Sequence, residues 1–263
     1  MKTIRILIAT LFIIFAVSCT KEKNANKCLI SSITINNDIT HKRTIKYDNQ
    51  GRITEYYVPG GSKMKITYAG LSGTLEFRDP NVDTLFNSAT LLFDSQGRLI
   101  SFEEYAYTIG LTRYYYTFKY NSDGYLISTE QTLSGPYDLY KRDTLIYTNG
   151  NLTQKITRLS NNSIYQTINY TYGTDKNKTW NFYWNGHTEP FSILSGYLSL
   201  YPLLGKSSAN LPTSIVSTEG SFVDNFSYNY LFDSDGNVIE YNELRSNTSF
   251  TESTNYKLEY ICN

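Results

Sequence analysis

The side chains that could do chemistry are few and scattered along this chain. It has two histidines, His41 and His187, and neither has a serine or cysteine partner at a spacing that indicates an activated nucleophile. Glu103 and Glu104 are adjacent, but neighbouring residues of a strand point to opposite faces and cannot work as a glycosidase pair. Acidic residues in the turns lack the dense spacing of a calcium loop. We therefore expect a protein that is not an enzyme, with no cofactor and no metal.

One cluster of residues could bind a ligand. Trp180, Tyr183, Trp184 and His187 lie within eight residues and include both tryptophans of the chain. Exposed aromatic rings beside polar groups bind flat apolar surfaces such as the faces of sugars, and Trp is enriched at interaction sites. The alternative is that these rings plug an open end of a β-sheet.

Five segments elsewhere share a pattern that we call the aromatic–glycine turn. It consists of an aromatic residue, a polar turn that ends in glycine, and an aliphatic residue two places after the glycine. Asp or Asn can bond to backbone amides ahead of it and glycine accepts a left-handed conformation, so each copy predicts a chain reversal. The copies are Tyr47–Ile53, Phe93–Leu99, Tyr120–Leu126, Phe232–Val238 and, one residue shorter, Tyr147–Leu152.

Between these turns the sequence alternates with a period of two. In the segment 113–120, Tyr114, Tyr116, Phe118 and Tyr120 alternate with more polar neighbours, which is typical of a strand with one buried face. The high content of tyrosine (25 of 263 residues) also favours strands. We predict an all-β fold, an antiparallel β-meander of repeated hairpins that forms a curved sheet or partly closed barrel. An irregular or short-helical insertion is expected near residues 180–210.

The N-terminus predicts export. Lys2 and Arg5 precede an apolar run that is too short for a permanent membrane-spanning helix, and the run ends at Cys19. The residues before Cys19 resemble the bacterial lipobox, although Ala16 stands where leucine is more usual. This resemblance implies lipidation at Cys19 after removal of residues 1–18, followed by a flexible tether (19–27) and a single β-repeat domain (28–263). An ordinary signal peptide with a chance cysteine is the alternative.

Two further cysteines stand at the ends of the predicted domain. Cys28 opens the first strand and Cys262 is next to last in the chain. Disulfides persist in exported proteins, so a bridge between Cys28 and Cys262 is one hypothesis, and two separate thiols are the other.

Taken together, the turns and the leader resemble known repeat proteins. The aromatic–glycine turn is similar to the YD repeats of Rhs-type shell proteins, and the whole mature chain resembles uncharacterised repeat lipoproteins of Bacteroidetes, a domain-of-unknown-function family. This resemblance implies a lipid-anchored lipoprotein of the outer membrane, on its periplasmic or its surface face. It implies no catalytic residue.

For function we expect a non-catalytic module that binds a glycan or a protein partner, with a structural role in an envelope complex as the alternative. An enzyme with an unfamiliar site is least favoured. The 24 basic and 24 acidic residues balance, so charge gives no reason to expect nucleic acid as a partner. A transmembrane barrel would also fit alternating strands, but lipidation at Cys19 argues against it.

Overall fold

The computed structural model describes residues 28–106, 112–134, 140–178 and 203–262. Sixteen β-strands follow one another within these ranges. They are β1 (Cys28–Ile35), β2 (Asp38–Tyr47), β3 (Ile53–Tyr57), β4 (Lys63–Ala69), β5 (Ser72–Arg78), β6 (Leu85–Phe93), β7 (Leu99–Ala106), β8 (Thr112–Tyr120), β9 (Leu126–Ser134), β10 (Tyr140–Thr148), β11 (Asn151–Leu159), β12 (Ile164–Lys176), β13 (Asn210–Glu219), β14 (Phe222–Phe232), β15 (Val238–Ser246) and β16 (Thr251–Cys262).

The sheet closes on itself. Each strand pairs antiparallel with the next, and β1 pairs with β16 from Cys28 opposite Cys262 to Ile35 opposite Tyr256. Cys28 and Cys262 form a disulfide at the start of this pairing, with an S–S distance of 2.04 Å. The predicted all-β antiparallel meander is confirmed, and so is a barrel, but the alternatives of a curved sheet or a barrel that closes only partly are wrong. Pairing of the first strand with the last leaves no strand edge with unpaired backbone groups.

The barrel has two ends that differ in their turns. Connections from even-numbered to odd-numbered strands lie at one end, which we call the glycine-turn end because it carries all five aromatic–glycine turns. Cys28 and Cys262 also lie there. Connections from odd-numbered to even-numbered strands, such as Asn36–Asn37, lie at the opposite end.

The predicted insertion falls between β12 and β13, at the glycine-turn end. Residues 179–202 are outside the described ranges, whereas 203–209 are described and contain no strand. No α-helix occurs in the described part of the chain. No described helix is long and apolar enough to cross a bilayer.

Alternation along each strand separates an inner from an outer face. Inward side chains include Ile33, Met64, Leu75, Leu91 and Ile215, all fully excluded from solvent. They belong to a single hydrophobic cluster to which nearly every strand contributes. Apolar side chains therefore fill much of the barrel interior, and their removal from water is the main source of stability.

Candidate functional site

The aromatic–glycine turns form as the sequence predicts, and Asp94–Arg98 shows how. The Asp94 carboxylate accepts hydrogen bonds from the backbone N–H groups of Gln96 and Arg98, both at 2.9 Å. Gly97 has a φ of 77°, which favours glycine. Burial raises the pKa of the Asp94 carboxyl, but hydrogen bonds from Arg98 outweigh it and hold that pKa below its usual value.

Each of these turns also shifts the strand register by one residue. The shift places the aromatic residue that opens the motif opposite the aliphatic residue that closes it, as in Phe93 opposite Leu99 and Tyr120 opposite Leu126. The aliphatic residues Ile53, Leu99, Leu126 and Leu152 are all buried. This pairing is the physical reason for the spacing of the motif.

A ring of tyrosines lines the glycine-turn end. In several hairpins that return to this end, a tyrosine near the end of the even-numbered strand donates its hydroxyl to a backbone carbonyl near the start of the preceding strand. The donors and acceptors, at 2.6 to 2.9 Å, are Tyr47 to Ile30, Tyr68 to Ile53, Tyr120 to Leu99, Tyr172 to Leu152, Tyr230 to Pro212 and Tyr260 to Val238.

Of the tyrosines in this ring, only Tyr47 and Tyr120 open an aromatic–glycine turn, because Tyr230 lies two residues before the turn that opens at Phe232. Tyr68, Tyr172 and Tyr260 are not followed by an aromatic–glycine turn, so the motif search passed over them. The available signal was the recurrence of a tyrosine at the end of each alternating run. The repeat is therefore eightfold, one hairpin per unit, and the aromatic–glycine turn is an addition to some of its units.

Residues 203–209 close part of the glycine-turn end, and we call them the strap. The backbone N–H of Lys206 donates to the carbonyl of Gly124, and the N–H of Ala209 donates to that of Gly150, both at 2.9 Å. Leu204, a residue of the strap, is only 1% exposed. The strap thus caps the apolar interior and is bonded to the turns on which it lies.

A groove of about 450 Å³ opens beside the strap. Three neighbouring turns form its walls, and its described lining includes both polar and apolar side chains. The lining residues are Gln50, Gly51, Arg52, Ile53, Tyr68, Gly70, Leu71, Phe93, Ser95, Gln96, Gly97 and Leu203.

The aromatic side chains of the groove are held in place. The guanidinium carbon of Arg52 lies 4.1 Å from the ring centroid of Tyr68, and Tyr68 packs against Phe93 with 5.7 Å between ring centroids. Burial raises the pKa of the Tyr68 hydroxyl to about 12, and this hydroxyl donates to the carbonyl of Ile53. Gln50 and Gln96 add amide groups, which suit a ligand that offers both hydroxyls and an apolar face.

A second polar region lies inside the barrel, and we call it the interior polar arc. Its members are buried polar residues on the inner faces of β7 to β13. They are Glu104, Thr129, Gln131, Lys141, Asp143, Lys155, Thr157, Gln166 and Ser217.

Asp143 is the centre of the arc. Its carboxylate accepts hydrogen bonds from the hydroxyls of Thr129 (2.8 Å) and Thr157 (2.6 Å), and it lies 4.0 Å from the ammonium of Lys155. Burial lowers the pKa of Lys155, an effect that the nearby Asp143 opposes. Such a pair is well compensated, and removal of either partner would leave the other buried without a counter-charge.

Glu104 has a less complete environment. Its side chain is fully buried and its Oε1 accepts a hydrogen bond from Asn87, but Oε2 has no hydrogen-bond partner. Burial raises the pKa of Glu104 to about 7 despite the bond from Asn87. Glu103, by contrast, pairs with Arg113 on the outer wall at 3.8 Å. The two carboxylates thus point to opposite faces, as expected of adjacent strand residues.

The residues predicted from the sequence are only partly covered by the described ranges. Cys19 and the cluster Trp180, Tyr183, Trp184 and His187 lie outside them. His41 is exposed in β2, where its ring is 2.9 Å from Asp38. Within the described ranges no group of three or more His, Cys, Asp or Glu side chains could hold a metal ion.

Comparison with known proteins identifies the architecture. No family model matches this sequence, and no curated protein matches it either. Two solved structures are similar in fold, a porin-like protein from Bacteroides uniformis (TM-score 0.64, 16% identity) and a porin-like protein from Bacteroides vulgatus (TM-score 0.57, 15% identity). Both alignments cover 89% of this chain and 98% of the other. At these identities the likeness concerns the fold alone, so this chain shares the barrel of those proteins.

Proposed function

We propose that this protein is a lipid-anchored lipoprotein of the outer membrane whose barrel stands in water and acts as a non-catalytic binding module. The lipid anchor would be attached at Cys19. The ligand would be a glycan or a protein partner, and the groove at the glycine-turn end would be its binding site.

The outer wall of the barrel carries this proposal. Cross-strand ion pairs run around it, with Nζ–O or guanidinium–O distances of 2.6 to 4.0 Å. They include Lys42–Glu259, Lys46–Glu55, Lys63–Glu55, Arg113–Glu103, Lys119–Glu130 and Lys257–Glu240. Barrels that span a membrane face lipid with an apolar band, and one Lys or Arg at its midplane costs about 2–4 kcal/mol. A wall with this many charges is suited to water.

The interior supports the same conclusion. Inward side chains such as Ile33, Leu99, Leu152 and Ile168 have no exposure to solvent. A diffusion channel has a polar, water-filled lumen. Because apolar side chains fill much of the interior, we expect a ligand to bind at one of the two ends of the barrel.

The groove suits a saccharide better than a fully apolar ligand. Leu71, Phe93 and the Tyr68 ring provide apolar surface, and Gln50 and Gln96 provide donors and acceptors at the rim. The segment between β12 and β13 begins and ends at the glycine-turn end of the barrel. It contains Trp180, Tyr183, Trp184 and His187. These four residues remain a predicted part of the binding site.

The water-facing barrel is tested with the mature chain that carries Cys19→Ser and so lacks lipid. We expect this variant to remain monomeric in buffer without detergent, as measured by light scattering. A requirement for detergent would contradict the proposal. Loss of radiolabelled palmitate from the full chain on the same substitution tests the anchor.

Ligand binding is tested on an array of envelope glycans with the same lipid-free chain. Gln96→Trp should fill the groove and abolish binding of any glycan that the unchanged protein retains. Ser249→Trp, an equally exposed turn position at the opposite end, is the control and should bind normally. If no glycan is retained, or if both variants bind alike, the groove is not a glycan site.

A structural role in an envelope complex is the second candidate, because the opposite end exposes large apolar side chains. Ile39, Val82, Ile164 and Phe222 are each more than half exposed there. Such patches commonly mark protein contacts. A photo-crosslinker at Phe222 should capture an envelope protein in intact cells, whereas one at Thr117 on the outer wall should not. Equal capture at the two positions would refute this role.

A further inference from the structure

We propose that the glycine-turn end of the barrel rests on the lipid bilayer, with a rim of outward aliphatic side chains in contact with the membrane surface. This inference rests on the proposed anchor at Cys19. It adds the orientation of the barrel and the surface that touches lipid.

The entry point of the chain is the first observation. Cys28 begins β1 at the glycine-turn end and is tied there to Cys262. Eight residues, 20–27, separate Cys28 from Cys19. Nine Cα–Cα steps therefore join Cys19 to Cys28, and whatever their conformation they span at most about 32 Å. The glycine-turn end must therefore remain within that distance of a lipid attached at Cys19.

The height of the barrel makes the inverted orientation unfavourable. A strand of nine residues is about 30 Å long. Tilted as strands in barrels usually are, it spans roughly 23 Å along the barrel axis. With the opposite end on the membrane, the tether would have to extend over roughly three quarters of its maximum length, and much of its conformational entropy would be lost. With the glycine-turn end on the membrane, the tether does not need to extend, and its conformational entropy is kept.

The side chains at the glycine-turn end are the second observation. Next to its turns, several outward positions carry exposed aliphatic residues where the middle of the wall carries charges. Five of them, 39% to 56% exposed, are Leu92, Ile100, Ile146, Leu231 and Ile261. We call this set the aliphatic rim.

Lysines lie on the outer wall above the aliphatic rim. Lys65 is exposed, and Lys46 and Lys257 have side chains that are 67% and 50% exposed although they pair with Glu55 and Glu240. Aliphatic side chains flanked by lysines bind membrane interfaces, because the first enter the acyl boundary and the second meet anionic headgroups. The opposite end also exposes apolar side chains, such as Phe222 at 77%, so the tether selects the glycine-turn end and the rim completes its contact with lipid. In this orientation the groove opens toward the headgroups.

The test uses the lipidated mature chain in vesicles that contain a nitroxide-labelled headgroup lipid as quencher. A fluorophore is attached at Ser122→Cys in a glycine turn or, separately, at Ser249→Cys at the opposite end. We expect the probe at position 122 to lose most of its fluorescence and the probe at position 249 to keep most of it. Equal quenching, or stronger quenching at position 249, would overturn the orientation.

Rim variants separate membrane contact from simple tethering. Leu231→Glu combined with Ile261→Glu should reduce quenching at position 122 while the protein still floats with the vesicles. Ile164→Glu combined with Phe222→Glu, at the opposite end, should leave quenching unchanged. If the rim variant changes nothing, the rim does not touch lipid. If the unchanged protein fails to float at all, the anchor itself is refuted, and the orientation with it.

Discussion

Two regions of the barrel interior, built by the same alternation, differ in what they bury. The inner faces of β1 to β6 hold mainly aliphatic and aromatic side chains, such as Met64 and Leu75. The inner faces of β7 to β13 hold the interior polar arc as well, with Asp143 and Lys155 almost fully buried. Alternation therefore decides which side chains point inward, and packing alone does not explain why some of them are charged.

The difference has an energetic meaning. An apolar inner face gains stability with each side chain removed from water. A buried charge loses its hydration and must recover the loss through partners. Asp143 has three such partners, whereas Glu104 has one hydrogen bond and a bare oxygen. The arc therefore contains a compensated part and an uncompensated part, which mutation can separate.

The largest effect is expected at Asp143. Asp143→Ala leaves Lys155 and two threonine hydroxyls without their partner, and should lower the free energy of unfolding by about 3–5 kcal/mol. Urea denaturation measures this loss. The double variant Asp143→Leu with Lys155→Met should recover most of it, because no unpaired charge remains. A loss below about 1 kcal/mol for Asp143→Ala would show that the arc is open to water.

Glu104 should make stability depend on pH. Its pKa of about 7 in the folded state is above the value of 4.5 for a free glutamate. The folded protein then binds more protons than the unfolded one between pH 4.5 and 7, so the stability conferred by protonation is lost as pH rises through this window, by about 3 kcal/mol.

Denaturation at pH 5 and pH 8 checks this prediction with Glu104→Gln, which keeps the acceptor for Asn87. The variant should lose most of the decline in stability. Burial also raises the pKa of Glu243, so a smaller decline should remain. If the free energy of unfolding of Glu104→Gln falls from pH 5 to pH 8 as much as that of the unchanged protein, Glu104 is not the group responsible.

The tyrosine ring should contribute less per residue. Tyr172→Phe removes the hydroxyl that donates to Leu152 at 2.8 Å and lies 3.1 Å from the hydroxyl of Ser208. We expect a loss of about 1 kcal/mol in thermal or urea unfolding. Tyr115→Phe on the outer wall is the matched control and should change nothing measurable. Equal effects would mean that the ring has no special role at the glycine-turn end.

The smallest effect is expected on the outer wall. Lys119 lies 3.4 Å from Glu130, and the side chain of Lys119 is 63% exposed. Lys119→Met should cost less than about 1 kcal/mol, and added salt should remove the difference. If Lys119→Met lowered the free energy of unfolding as much as Asp143→Ala, exposed ion pairs on the outer wall would matter as much as the buried pair in the interior polar arc, and the comparison would fail.

Local chemistry made several elements predictable. The Asp94 turn is held by bonds within five residues, so its type could be foreseen from residues 94–98 alone. That Glu103 and Glu104 point to opposite faces followed from the period of a strand. Tyr68 and Tyr172 escaped notice because their bonds to Ile53 and Leu152 join residues 15 and 20 positions apart.

The sequence by itself determined where the chain reverses and which side chains share a face, because hydrogen bonds inside a turn and the pleat of a strand act over a few residues. The tertiary structure decided that the sheet closes, that Cys28 meets Cys262, and that Glu104 and Asp143 lie inside. These outcomes depend on contacts between strands far apart in the chain, such as β1 and β16. No local pattern encodes how many hairpins are needed to bring those two strands together.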